Sequence, residues 1–325
     1  MGLKSRARIL WRDFLLWGLR ISDLFDETVM ERFFLDSGSQ HVWSSLDVHR
    51  TMLDDRIRVE AFRDAIFEAV REGERVLDVG TGTGILAFFA AKRAVRVYAV
   101  DSSKVIDYAK GVAGSNGIKN IEFIRSDLSD LSVPKVDCVV AELLGMEITD
   151  EGIVEKMAVA RRFLKPGGRL IPASVDIFLV PVESGDVGLG FWDSLYGFDF
   201  SAVDRLPKEA RNFEAGDRTR ALSGEGKALS FDFMTAVPKD VESSLEFKVE
   251  RDGVFHGCVC YFKARLSESV VLENSPWRQK THWKQLFLPH TERAAVKKGD
   301  VIRVRLRTKN RVRGWVWDYE IIRRN

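Results

Sequence analysis

The chain has 325 residues, 45% of them hydrophobic and 30% charged. That is the composition of a folded globular protein and excludes disordered and collagen-like classes. Fifty Lys+Arg against 48 Asp+Glu leave a formal net charge of +2, so no global field advertises nucleic acid and the partner has to be read from sites. At roughly 100–200 residues per domain, two domains are expected. The three cysteines, Cys138, Cys258 and Cys260, sit inside apolar runs. They are too few for a disulfide framework and read as buried free thiols of a reducing, cytoplasmic compartment. The five histidines show no HExxH spacing and no CxxC companion, so no metal site is expected.

In chain order, residues 1–40 carry Leu10, Phe14, Trp17, Ile21 and Leu24 at helical spacing, which predicts a packing helix as an N-terminal extension. Arg12, Asp13 and Arg20 interrupt this stretch and spoil it as a signal-peptide core. From about residue 55, helix and strand patterns alternate: a helix over Arg58–Arg71, strands at Val76–Val79, Val95–Val100, Ile121–Ile124 and Val136–Glu142, and helices at Ile85–Lys92 and Ile106–Asn116. Alternation of this kind builds a parallel sheet covered by helices. Beyond Pro172 the texture becomes short alternating runs at Val175–Val182, Ala228–Val237, Ser244–Glu250, Gly257–Leu266 and Asp300–Thr308, which predict an antiparallel β-barrel or sandwich. The polar stretch Asp199–Leu222 is too long for an ordinary connection and is expected to project as an arm. The expected organisation is therefore α/β: an extension over 1–40, a Rossmann-like domain over 41–172, and a mostly antiparallel β-barrel domain over 173–325.

The strongest local signal is VLDVGTGTG at Val76–Gly84, an apolar strand running into Gly80, Gly82 and Gly84 and then a helix. Glycines there let the backbone and a helix N-terminus approach a ligand. Asp101 ends the next strand, where a carboxylate can accept ribose hydroxyls. Gly82, Gly84 and Ala87 also satisfy a dinucleotide-type GxGxxA pattern. Asp78 at the strand end, and Asp127 placed to accept an adenine amine, favour S-adenosylmethionine. The competing role for both aspartates is to cap turns or helices. The DxGxGxG spacing with the later Asp101 resembles class I methyltransferases over residues 55–172.

The next loop, AELLGMEITDEGIVE at Ala141–Glu155, has five carboxylates and no basic residue. It resembles the double-glutamate loop of protein arginine methyltransferases, with Glu142 and Glu151 at that family's separation. FWDSLYGFDF at Phe191–Phe200 resembles the family's linker, and THWKQ at Thr281–Gln285 its threonine-histidine-tryptophan loop. The resemblance implies S-adenosylmethionine as cofactor, an arginine-containing protein as substrate, and a homodimer built through the arm. It implies Glu142, Glu151, His282 and Asp55 as catalytic residues, with His282 and Asp55 paired for proton removal. Arg58 is implied against the methionine carboxylate of the cofactor, and Met52, Trp43, Ile153 and Trp283 in the substrate pocket.

The chemistry suits these residues, because a guanidinium is planar, permanently cationic and matched to carboxylates. A glutamate that concentrates its positive charge at one nitrogen leaves another freer to attack. Two departures from the family stand out: Trp43 replaces an active-site tyrosine and lacks its phenol, and Ile153 stands where many asymmetrically dimethylating members have methionine. Two other readings remain at this point. One is a methyltransferase for RNA or a metabolite, with Arg303, Arg305, Arg307, Lys309, Arg311 and Arg313 touching phosphate; against it, alternation with Ile302, Val304 and Leu306 also describes a strand with one buried face. The other is a catalytically silent scaffold.

Overall fold

The computed structural model describes residues 45–145, 152–187, 194–200, 210–236, 240–309 and 313–324. The stripe expected over 1–40, Trp43, Glu151 and positions 201–209 of the expected arm lie outside these residues.

Two helices, α1 (Leu46–Asp54) and α2 (Arg56–Ala69), lead into the sheet. Helix α2 begins two residues earlier than its apolar pattern suggests because Asp55 caps it, its side chain accepting from the Arg58 amide. Phe62, Ala65 and Ile66 recur at helical spacing and are fully buried. There follow β1 (Arg75–Val79), α3 (Ile85–Ala91), β2 (Arg96–Asp101), α4 (Ile106–Ser115), β3 (Ile121–Arg125), β4 (Val136–Ala141), α5 (Ile153–Ala160) and β5 (Leu164–Ile171). The five strands pair in parallel in the order β3-β2-β1-β4-β5. Val76, Leu77, Val97, Ala99 and Val139 are completely buried, as strands covered on both faces require. The order reverses between β1 and β4, where Val79 lies opposite Ala141. At such a switch point the following loops diverge and open a crevice for a ligand.

The remaining strands, β6 (Ser174–Ser184) to β15 (Arg313–Ile322), are antiparallel. They form a seven-stranded sheet whose path runs β7 (Arg211–Phe213), β13 (Gln285–Val296), β11 (Gly253–Arg265), β6 and β8 (Thr219–Ala221), to which β9 (Gly226–Asp232) and β12 (Val271–Glu273) add, and a three-stranded sheet of β10 (Glu242–Lys248), β14 (Val301–Lys309) and β15. The expected barrel is corrected here: among the described residues the strands do not close on themselves. The long strands β6 and β11 (Gly253–Arg265) each hold two shorter partners in tandem along one edge, so the sheet branches instead of recirculating. The three-stranded sheet, β10 (Glu242–Lys248), β14 (Val301–Lys309) and β15, packs on it through Tyr319 and Trp317. Phe255 meets the Tyr319 ring edge-on at 5.0 Å, and Trp317 donates to the Pro289 carbonyl.

Part of the segment expected to project pairs into the sheet instead. Within Asp199–Leu222, β7 (Arg211–Phe213) pairs with β13 (Gln285–Val296) and β8 (Thr219–Ala221) pairs with β6. Phe213 anchors β7 by packing on Phe287 at 5.2 Å between ring centres. The strand expected over Ala228–Val237 stops at Asp232, whose side chain accepts from the Met234 amide and turns the chain. The three cysteines are buried and free, and burial pushes the Cys138 and Cys258 thiols up to about 12.

One position shows how tightly the antiparallel sheet is built. At the bulge between Phe255 and Gly257, Gly257 adopts φ +143°, and a Cβ there would lie 2.3 Å from the Leu288 carbonyl oxygen. Gly257→Ala is expected to destabilise the protein by about 2–4 kcal/mol through strain and clash. Chemical denaturation of the two proteins measures it, and a loss under half a kilocalorie would mean the bulge tolerates a side chain.

Candidate active site

The cofactor half of the site grows from the end of β1. Gly80, Gly82 and Gly84 all take positive φ, at 71°, 54° and 92°, conformations that other residues adopt only with strain. The Gly80 and Thr81 amides donate to the Val100 carbonyl and tie the turn to β2. The cradle is close-fitting: a Cβ on Gly80 would lie 3.2 Å from the Leu143 side chain, and one on Gly84 2.7 Å from Phe88.

The carboxylates around this turn have distinct environments. Asp101 Oδ2 accepts from the Gly82 amide (2.9 Å), while Oδ1 accepts from the Ser103 amide (2.8 Å) and hydroxyl (2.7 Å). Three fixed donors orient the group and leave acceptor capacity for a ligand hydroxyl. Asp78 is buried; its Oδ2 accepts from the Thr81 hydroxyl at 2.6 Å, whereas Oδ1 has no partner. Burial pushes its carboxyl up to about 7, the Thr81 bond opposing and the Asp101 charge adding. Asp127 is exposed and caps the one-turn helix Leu128–Asp130, Oδ1 accepting from the Ser129 amide (3.0 Å) and hydroxyl (2.9 Å). These bonds, the amide first, hold its carboxyl below the usual range. An orphaned buried oxygen, a glycine cradle and an oriented carboxylate fit a nucleoside bearing an amino-acid tail.

Glu142 follows directly on β4, which places it beside that cradle, since its neighbour Leu143 is the side chain that a Cβ on Gly80 would meet. Its carboxylate is buried and already holds a guanidinium. Arg58 Nε donates to Oε2 at 2.8 Å, Arg58 Nη2 donates to the same oxygen, and Oε1 accepts from the Leu144 amide at 3.0 Å. Arg58 Nη1 donates to the Met52 carbonyl at 2.9 Å, and its guanidinium lies 5.9 Å from the Trp283 ring centre.

His282 and Asp55, 227 positions apart in sequence, meet here. Asp55 Oδ2 accepts from the His282 amide at 2.7 Å and lies 2.8 Å from its Nδ1, while Oδ1 caps α2. Burial pushes the Asp55 carboxyl up, but the bonds from the His282 ring and from the Arg58 and His282 amides outweigh it and hold the group below the usual range. The neighbouring Trp283 is buried and donates from Nε1 to the Leu144 carbonyl at 2.6 Å. Ile153 opens α5 and is wholly buried.

The structure thus brings Met52, Asp55, Arg58, Glu142, His282 and Trp283 together beside the cradle of Gly80, Gly82, Gly84, Asp78 and Asp101, with Asp127 at the rim of the same sheet after β3. Sequence reasoning passed over Thr81, Ser103 and the Leu143-Leu144 pair, which orient these groups through one hydroxyl, one serine turn and two backbone atoms. Only the hydroxyl next to Gly80 left a trace in the sequence. On β14 one face is buried and Arg303 on the other is paired. Ile302, Val304 and Leu306 are buried, and Arg303 is bound to Glu246 (2.7 Å) and Glu320 (2.6 Å) on the flanking strands.

The parallel sheet, the glycine cradle and the carboxylate at the end of β2 define a class I methyltransferase fold. Residues 76–168 match a family model described as a methyltransferase domain, and residues 173–321 match one described as the arginine methyltransferase oligomerization subdomain. The chain is 32% identical over 277 residues to protein arginine N-methyltransferase 1 of Schizosaccharomyces pombe, covering 80% of this chain and 81% of that protein. The protein of the same name from Dictyostelium discoideum is 29% identical over 275 residues with the same coverage. Among solved structures, the Trypanosoma brucei PRMT1 enzyme-prozyme heterotetrameric complex with AdoHcy has the same fold, with a TM-score of 0.75, 23% identity, and coverage of 86% of this chain and 99% of that one. This chain belongs to the protein arginine N-methyltransferase family.

Asp78 offers a check on the electrostatics. With a folded pKa of about 7 against roughly 3.9 when unfolded, it keeps in the fold a proton that the unfolded chain has released. Its contribution to stability is therefore present below about pH 4, falls as pH rises to about 7, and is flat above that. Asp78→Asn cannot ionise, so its stability relative to wild type is expected to rise steadily over that window. Urea denaturation of both proteins at pH 4.5, 6 and 7.5 tests this; a constant difference would mean that Asp78 is already ionised in the fold.

Proposed function

We propose that this protein transfers the methyl group of S-adenosylmethionine to a guanidino nitrogen of arginine in a protein substrate, with Glu142 as the residue that polarises the acceptor. The observation that carries this reading is that the Glu142 carboxylate, at the carboxyl end of β4, is buried, oriented by a backbone amide and engaged with a guanidinium. The cofactor residues are Arg58, Asp78, Gly80, Gly82, Gly84, Asp101 and Asp127. When bound, the cofactor supplies a methyl on a sulfonium, which leaves as a neutral thioether.

Everything else falls to the chain. Glu142 draws the positive charge of the acceptor toward one guanidino nitrogen and leaves the lone pair of another more available. The family resemblance makes Glu151 the second acidic partner of the acceptor guanidinium. Met52, Ile153 and Trp283 shape the pocket and keep water out, with alignment supplying much of the rate. The proton shed on transfer passes to His282, whose imidazolium Asp55 stabilises; the 2.8 Å contact to Nδ1 supports this role. The match of residues 173–321 to an oligomerization subdomain supports assembly. We read it as a homodimer whose arm is the part of the expected segment preceding Arg211. The buried free thiols accord with a cytoplasmic location. The glutamate pairing of Arg303 weighs against an RNA substrate.

Glu142→Gln tests the assignment. Glutamine keeps one acceptor oxygen but turns amide donors toward guanidinium donors. Single-turnover methyl transfer to an arginine peptide is expected to fall by about 10²–10³-fold, while calorimetry shows S-adenosylmethionine bound at least as tightly as by wild type. Wild-type transfer would remove Glu142 from the mechanism. For the assembly, light scattering is expected to give a dimer for the full chain and a monomer once positions 199–210 are replaced by a short linker; a monomeric full chain at micromolar concentration would refute the homodimer.

A further inference from the structure

The residue that Glu142 holds in this structure is part of the chain itself. Arg58 places two donors on Oε2, and Oε1 accepts from the Leu144 amide, so neither oxygen is free to join the other in a two-oxygen edge for a second guanidinium fork. Arg58 is in turn fixed by the Met52 carbonyl and the Trp283 ring, and both side chains of the ion pair are less than 10% exposed. One carboxylate cannot present the same oxygen edge to two guanidinium forks, and two guanidinium ions sharing one buried carboxylate leave a net positive charge out of water. An acceptor arginine arriving at Glu142 therefore competes with Arg58.

We propose that Arg58 is a built-in occupant of the acceptor-arginine position on Glu142, and that the carboxylate at the amino-acid end of the cofactor relieves this competition by taking over Arg58, so that cofactor binding opens the site for the acceptor. The inference rests on Glu142 being the guanidinium site proposed above. The geometry gives the exchange a short path, because Glu142 and Leu143 abut the turn at Gly80, whose Cβ position is 3.2 Å from Leu143. A ligand seated on the glycine turn thus lies next to the Arg58-Glu142 pair. The cofactor brings the second carboxylate that makes two carboxylates for two guanidinium ions, which settles the charge balance that a lone acceptor would upset. Arg58 on this view is a positioning residue that couples two ligands, and the coupling is reciprocal.

The test is a calorimetric titration of the full chain with an arginine peptide and with the same peptide carrying lysine, under three conditions: no addition, saturating S-adenosylhomocysteine, and saturating 5′-methylthioadenosine, which has the nucleoside but no carboxylate. S-adenosylhomocysteine is expected to tighten the arginine peptide by about tenfold or more, and methylthioadenosine to leave it nearly unchanged. In Arg58→Met the arginine peptide should bind without any nucleoside, and its affinity should no longer respond to S-adenosylhomocysteine. Should that variant fail to fold, the comparison of the two nucleosides on wild type decides alone. Equal peptide affinity under all three conditions, or equal tightening by both nucleosides, overturns the coupling while leaving Glu142 as the acceptor site. If the lysine peptide binds as well as the arginine peptide, or if neither binds in any condition, the arginine-acceptor reading fails instead.

Discussion

A buried ion pair between Arg58 and Glu142 is the constraint around which the site is arranged. Arg58 comes from the first turn of α2 and Glu142 from the end of β4, so the pair ties a helix that precedes the parallel sheet to the middle of it. Ion pairs of this kind seldom add net stability, because desolvation offsets most of the attraction, but losing one partner is costly, about 3–5 kcal/mol, since the other charge is stranded. Their value is in specifying geometry. Here the pair orients Glu142 and ties the first turn of α2 to the residue that follows β4, next to the glycine turn.

Asp55 extends the same logic across the molecule. One oxygen caps α2 and the other receives the amide and ring of His282. The loop bearing His282 and Trp283 belongs to the antiparallel part of the chain, and it closes on the parallel part twice, at Asp55 and at the Leu144 carbonyl. The Glu142 carboxylate and His282 are consequently linked through two side chains and a few backbone atoms. Such short links between the carboxylate and the histidine suit a reaction whose barrier is lowered chiefly by alignment and charge placement.

The electrostatics of the site divide by environment. Asp55 stays ionised despite burial because three hydrogen bonds serve its charge, while Asp78, 23 residues later in β1, has one hydrogen bond and one orphaned oxygen and moves up toward neutrality. Asp101 keeps its orientation through amides that cannot turn away. Three aspartates of identical chemistry thereby take three roles, set by the donors the fold offers each of them.

Much of this was legible in the sequence because it depends on local chemistry. The run of apolar strand, three glycines and helix dictated the turn at Gly80–Gly84, since only glycine accepts the positive φ required there. Alternating periodicity separated a parallel from an antiparallel half near Pro172, and the motif resemblance placed Glu142, His282 and Asp55 in one family pattern. Other features depend on partners distant in the chain. The fifth parallel strand begins Leu164-Lys165-Pro166-Gly167-Gly168 and reads as a turn; pairing with β4 makes it a strand. The antiparallel strands branch instead of closing because β6 and β11 are long enough to take two neighbours each, and Phe213 draws half of the expected arm into the sheet. Above all, the sequence determined that Arg58 and Glu142 are present, 84 positions apart. That one occupies the other was decided by the tertiary structure, because only the fold brings the first turn of α2 to the residue after β4 and buries both side chains there.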